Sequence, residues 1–95
     1  MKLIVEFDID ADLIDVPESV ITQREALRRR FLKWLYDPGV KHRWRVKGKD
    51  FDVCCYRSDA FVEWLNKKIL GGSDRAVILQ EHLHEWDNSR PSIFF

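Results

Sequence analysis

The chain has 95 residues, with 16 basic and 16 acidic side chains and 45% hydrophobic content, which is enough for one small globular core over residues 1–95 and no second domain. No uninterrupted apolar run approaches the roughly 20 residues that a membrane-spanning helix needs, and the charged, short first stretch Met1-Lys2-Leu3-Ile4-Val5-Glu6 lacks the pattern of a signal peptide, so a cytoplasmic location is expected. The net charge of zero hides a division: residues 1–16 carry −4, ten cations against three carboxylates make residues 17–49 +7, and residues 50–95 carry −3.

Residues 2–9 alternate, with Leu3, Val5, Phe7 and Ile9 on one face, which predicts a half-buried first strand. The acidic stretch Ala11-Asp12-Leu13-Ile14-Asp15-Val16 reads as a loop. Residues 16–36 switch to helical spacing, with Val20, Leu27, Phe31, Trp34 and Leu35 in a stripe. Asp15 and Glu18 have the spacing of a capping box, and Asp37-Pro38-Gly39 stops the helix.

The segments 41–47 and 50–56 flank Gly48-Lys49 and predict a hairpin with a two-residue turn. Its register is expected to set Lys47 against Asp50, Val46 against Phe51, Arg45 against Asp52 and Trp44 against Val53. The apolar face would then meet the core. Ser58 is placed to cap a second helix reaching about Leu70, with Phe61, Val62, Leu65 and Ile69 inward and Gly71-Gly72 ending it. Residues 75–84 suit a strand, although Leu79, Leu83 and Trp86 also fit a short helix. The order strand, helix, strand, strand, helix, strand predicts an α+β, ferredoxin-like βαββαβ sandwich: an antiparallel four-stranded sheet, two helices on one face, and a possible extra edge strand from Pro91 to Phe95.

That fold hosts many activities, so function must come from the side chains. Lys41, Arg43, Arg45 and Lys47 alternate on the expected second strand, and Arg24, Arg28, Arg29 and Lys33 lie on the first helix. Edge-strand charges discourage unwanted sheet pairing, and the same cations could meet phosphates or an acidic partner. Phe51-Asp52-Val53-Cys54-Cys55-Tyr56 resembles the third-strand motif of RNA-recognition domains, departing from it at Asp52 and Val53.

Glu6, Asp8, Asp10 and Asp12 recur at spacing two, which is permissive for a hard cation. Phe7-Asp8-Ile9-Asp10 ahead of an arginine-rich helix resembles the small ferredoxin-like CRISPR-associated subunit of spacer acquisition. The resemblance implies a metal-dependent nuclease or a DNA-bound dimer with Asp8 as metal ligand, although the acidic loop that follows is longer. His82 and His84 share a strand face but lack a third ligand at motif spacing, even counting His42, and the adjacent Cys54 and Cys55 point to opposite faces. Apart from that resemblance, no metal, cofactor or catalytic triad is expected from the residues.

Trp34 and Trp44 read as core, whereas Trp64 lies off the inward stripe of the second helix and Trp86 sits near the aromatic tail; with Phe94 and Phe95 they either pack against one another or make a candidate docking patch for a protein partner or a second copy of the chain. The leading expectation is therefore a small, soluble, non-catalytic protein-binding module: an inhibitor, adaptor or accessory factor of the style of phage and mobile-element proteins. A nucleic-acid-associated module using the basic 24–49 segment is the alternative, and a metal-dependent nuclease using the strand-one carboxylates comes third.

Overall fold

The structure is a computed structural model that describes residues 1–86 and 89–95. β1 (Lys2–Glu6) and β2 (Ala11–Asp15) form an antiparallel hairpin running from Lys2 opposite Asp15 to Glu6 opposite Ala11. The Phe7 amide donates to the Asp10 carbonyl at 2.8 Å and closes the turn. Residues 11–15, expected as a loop, are thus a central strand, and Ile9, expected inward, sits in the turn and is 92% exposed. Leu3 and Val5 fall on the core face with Ile14, and this alternation carries the charged Asp12, opposite Val5, to the same face.

β5 (Val77–Leu83) pairs antiparallel with β2 through an irregular register, and β6 (Ser92–Phe94) pairs parallel with β1. The strand order is β5-β2-β1-β6. The molecule is a small α+β domain with a four-stranded sheet, but the sheet is mixed where an antiparallel ferredoxin-like sheet was expected. The expected terminal edge strand is present as β6. The difference arises because the 41–56 segment stays outside the main sheet and forms its own two-stranded sheet from β3 (Arg45–Val46) and β4 (Val53–Cys54).

In that hairpin Val46 faces Val53 and Arg45 faces Cys54, a shift of two residues from the expected register. Gly48 approaches the Phe51 carbonyl so closely that a Cβ would collide with it, so the loop closes wider than a two-residue turn. The faces are also reversed. Arg45 Nη2 donates to the carbonyls of Leu35 (3.1 Å) and Asp37 (2.8 Å), and Cys54 Sγ donates to Leu35 at 3.6 Å. The Leu35 carbonyl is the last of α2 and takes these side-chain donors in place of a helical partner, so the Arg45–Cys54 face turns inward and Val46, Phe51 and Val53 are exposed.

The expected first helix is two: α1 (Glu18–Thr22) and α2 (Arg24–Leu35), broken at Gln23. No side chain caps α1, because Asp15 instead accepts from the Met1 amino group at 2.9 Å. α3 (Ser58–Trp64) runs into a π turn, Leu65–Ile69, whose end lets the Leu70 amide reach the Leu65 carbonyl at 2.7 Å. The Ser58 side chain does not cap α3; it bonds to Asp12. Asn66 brackets Ala76 with two hydrogen bonds, 2.9 and 2.8 Å, and so ties the π turn to the start of β5.

The helices cover the Leu3, Val5 and Ile14 face of the sheet. At the centre, Phe31 meets Tyr56, Phe61, Trp64 and Phe95 edge-on, with ring centroids 5.4–5.8 Å apart. A buried large apolar side chain contributes about 1.5–3 kcal/mol, and edge-on ring pairs add about 0.5–1.5 kcal/mol each, so this cluster is the main apolar tie between α2, α3 and the end of the chain. Among the described residues, no helix is long and apolar enough to cross a membrane.

Candidate functional site

Where α2 ends, the chain turns through 37–44 and comes back over α3, and three rings meet. Trp34 lies 5.0 Å from His42 at an interplanar angle of 32°, and His42 lies 5.7 Å from Trp44. Each ring is held. His42 Nε2 donates to the Leu35 carbonyl at 2.8 Å, and Trp44 Nε1 donates to Asp59 Oδ2 at 3.1 Å. His42 Nδ1 is buried and finds no hydrogen-bond partner among the described residues.

These rings, with Trp64 beneath, floor a cleft of about 360 Å³ whose rim carries Lys41, Arg43, Lys67 and Lys68. The cations come from two directions: Lys41 and Arg43 from the chain entering β3, Lys67 and Lys68 from the π turn. Glu63 is the one carboxylate in the lining, 3.3 Å from Lys67 and 3.6 Å from Arg43. The Arg43 guanidinium also lies 4.7 Å from the Trp44 ring centroid. Four cations against one carboxylate leave the rim positive, and Lys41 and Lys68 have no ion pair among the described residues. Flat rings beneath mobile cations can stack a planar group and neutralise an attached anion.

The remaining expected cations separate. Arg24 Nε donates to the Ser92 carbonyl at 3.2 Å, and Arg28 Nε donates to the Phe94 carbonyl, so both are occupied in holding β6. Arg29 and Lys33 are exposed on α2 and do not line the cleft. Arg45 holds the end of α2, as described, while it lines with Lys47 a neighbouring hollow that shares Lys41 and His42 with the cleft. None of the α2 cations therefore lines the cleft with Lys41 and Arg43. The π-turn lysines Lys67 and Lys68, absent from the cations singled out in the sequence, supply half the rim.

The aromatic docking patch is not assembled as expected. Trp64 is 5% exposed, because its i+3 spacing from Phe61 places it on the buried stripe of α3. Phe95 packs against Phe7, Phe31, Tyr56 and Phe61. Trp86 is half-buried, with its indole N–H donating to Glu6 at 2.9 Å, and Phe94 alone of the four is open, at 51% exposure.

The strand-one carboxylates diverge. Glu6 holds Trp86, and Asp8 is exposed in the turn. Asp12, 0% exposed, accepts from Ser58 Oγ at 2.6 Å, Arg57 Nη2 at 2.7 Å and the His82 amide at 3.0 Å. Asp10 accepts from Arg57 at 3.1 Å and lies 2.7 Å from His82 Nδ1. Burial opposes charge on Asp12, yet the bonds from Ser58, Arg57 and the His82 amide prevail and hold its carboxyl below the usual carboxylate range. For Asp10, the bond from His82 leads and the carboxyl is again lowered. This knot ties β2, β5 and the start of α3 together, and the positive φ of His82, 59°, turns its amide toward Asp12. Ser58 Oγ donates its hydrogen bond to Asp12, which makes it part of the brace between these elements. Among the described residues, no group of three or more His, Cys, Asp or Glu is placed to hold a metal ion.

Compared with family models, curated proteins and solved structures, the chain matches none.

Proposed function

We propose that this protein binds single-stranded nucleic acid through the aromatic cleft between the 41–44 segment and the π turn. The observation that carries the reading is that Lys41, Arg43, Lys67 and Lys68 line one cleft together with the half-buried rings of Trp34 and His42 and the edge of the largely buried Trp44. An exposed base stacks on an aromatic or guanidinium plane, and its phosphates are met by lysines, which is the general chemistry of sequence-tolerant single-strand binding. A duplex hides its base faces, so the cleft favours a strand whose bases can splay out.

Equilibrium titration of a fluorescein-labelled single-stranded oligonucleotide, followed by anisotropy at several salt concentrations, tests this. Each phosphate neutralised on a single strand contributes about −0.7 to the slope of log K against log salt, so four cations, partly offset by Glu63, predict a slope of about −2 to −3. The double substitution Lys41→Glu with Lys68→Glu, both exposed, should abolish binding and leave the fold intact. Salt-independent binding, or binding that survives the double substitution, would refute the assignment.

A protein-binding module is the second reading. With Trp64 in the core and Phe95 packed against it, the reading no longer rests on the four-aromatic patch; what favours it is the outer edge of β5, where Val77 and Leu79 are exposed on a strand paired on one side only. Binding there would respond little to salt.

A further inference from the structure

We infer that the cleft selects the base it holds, and that Glu63 is the selecting group, accepting a pair of hydrogen bonds from the Watson–Crick edge of guanine. The inference rests on the reading of the cleft as a single-strand site and adds a base preference and the residue that sets it. A cleft of about 360 Å³ is at the small end of ligand pockets, which leaves room for one base between the rings and the rim. Glu63 is the one acidic residue in its lining, and a carboxylate among phosphate-binding cations is a cost that a strand held by charge and stacking alone does not require.

The fold makes little use of that carboxylate. Lys67 Nζ at 3.3 Å and Arg43 Nη1 at 3.6 Å both approach Oε1, and among the described residues Oε2 has no ion-pair or hydrogen-bond partner. The side chains of Lys67 and Arg43 are 68% and 67% exposed, so both pairs are screened by solvent and contribute little to stability. Glu63 itself is held. Its side chain is only 28% exposed, and it stands on α3 between Phe61 and Trp64, whose rings are fixed in the core. The cations are therefore free to swing to phosphates while an acceptor with unused capacity stays in the cleft beside the stacking rings. Guanine presents two adjacent donors, N1–H and the N2 amino group, and one carboxylate accepts both in parallel, as it does from a guanidinium. Thymine and uracil set their single N–H between two carbonyls, which a carboxylate repels, and adenine and cytosine set an amino group beside a ring acceptor. Stacking tolerates every base, and Glu63 adds the preference.

The test measures, by anisotropy on wild type and Glu63→Gln, the binding of a labelled eight-nucleotide oligothymidylate and of the same strand with one central guanine, hypoxanthine or adenine. Wild type should bind the guanine strand roughly ten-fold more tightly than oligothymidylate, the discrimination of one bidentate base contact. Hypoxanthine, which keeps N1–H and lacks the amino group, should fall between them, and adenine should gain little. Glu63→Gln keeps the shape of the side chain and removes its charge, so it should bind oligothymidylate at least as tightly as wild type and lose most of the guanine preference. If wild type binds oligothymidylate but does not prefer guanine, or prefers adenine equally, the base reading is overturned and the cleft stands. A guanine preference that survives Glu63→Gln, or a variant that binds neither strand, overturns the assignment to Glu63. If no strand binds wild type, the cleft reading falls and the inference with it.

Discussion

Asp12→Asn is the sharpest perturbation of the fold. It keeps the shape of the side chain, removes a buried negative charge and replaces one accepting oxygen with a donor; the native carboxylate accepts from Ser58, Arg57 and the His82 amide. Hydrogen bonds to charged groups contribute about 1.5–3 kcal/mol each, and removing one member of a buried ion pair costs about 3–5 kcal/mol. Two effects reduce the loss: the carboxylate's own desolvation is relieved, and Asp10 still holds Arg57. The expected destabilisation is therefore about 3 kcal/mol, at the low end of that range. For a domain of this size it lowers Tm by about 12–24 °C. Urea denaturation followed by tryptophan fluorescence should show a lower midpoint at unchanged slope, with Asp8→Asn as the exposed control within about 0.5 kcal/mol of wild type. The folded-state pKa of Asp12 lies below its ordinary 3.8, so its contribution is complete above the unfolded-state value and is lost as pH falls toward the folded-state one. Wild type and Asp12→Asn should converge below about pH 4. A loss under about 1 kcal/mol at neutral pH, or a difference that persists unchanged into acid, would refute the knot as a stabilising brace.

Trp64→Ala should cost about 3–5 kcal/mol by opening a cavity against Phe31 and Phe61, measured by thermal melting, and a variant that melts with wild type would contradict the core placement. Burial, with Tyr36 nearby, pushes the Tyr56 hydroxyl up to about 12, so its phenolate should appear late in an ultraviolet titration. The folded state favours the neutral phenol, so stability from this group is present below the unfolded-state value near 10 and declines as pH rises toward 12. Tyr56→Phe should remove the late phase; loss of a phase centred near 10 would refute the burial argument.

The helices were legible because their signal is local. Val20, Leu27, Phe31 and Leu35 repeat at helical spacing and all are buried. β1 was legible from its alternation, and β5 and the terminal edge strand from their apolar runs. β2 was not, because Ala11-Asp12-Leu13-Ile14-Asp15 looks solvated: the groups that make a buried Asp12 tolerable, Arg57, Ser58 and the His82 amide, lie more than forty residues along the chain. Without β2, the 41–56 hairpin was drawn into the sheet to complete it, and the topology followed that error. Trp64 was recoverable, since Phe61, Trp64 and Leu65 stand at i, i+3 and i+4 on one helix face. The cleft was half legible: Lys41 and Arg43 were singled out from the basic run, but their convergence with Lys67 and Lys68 depends on where α3 packs and on the π turn that ends it, which no spacing rule encodes.

The central claim is that single-stranded nucleic acid occupies the cleft, and the most direct measurement is an amide and indole NMR titration of the ¹⁵N-labelled protein with an oligothymidylate. The account predicts that the indole signals of Trp34 and Trp44 and the amides of Lys41, Arg43, Lys67 and Lys68 shift together as the oligonucleotide is added, while β6 and the Asp12 knot stay still. Shifts concentrated on β5 or on Arg24 and Arg28, or none at saturating oligonucleotide, would contradict it.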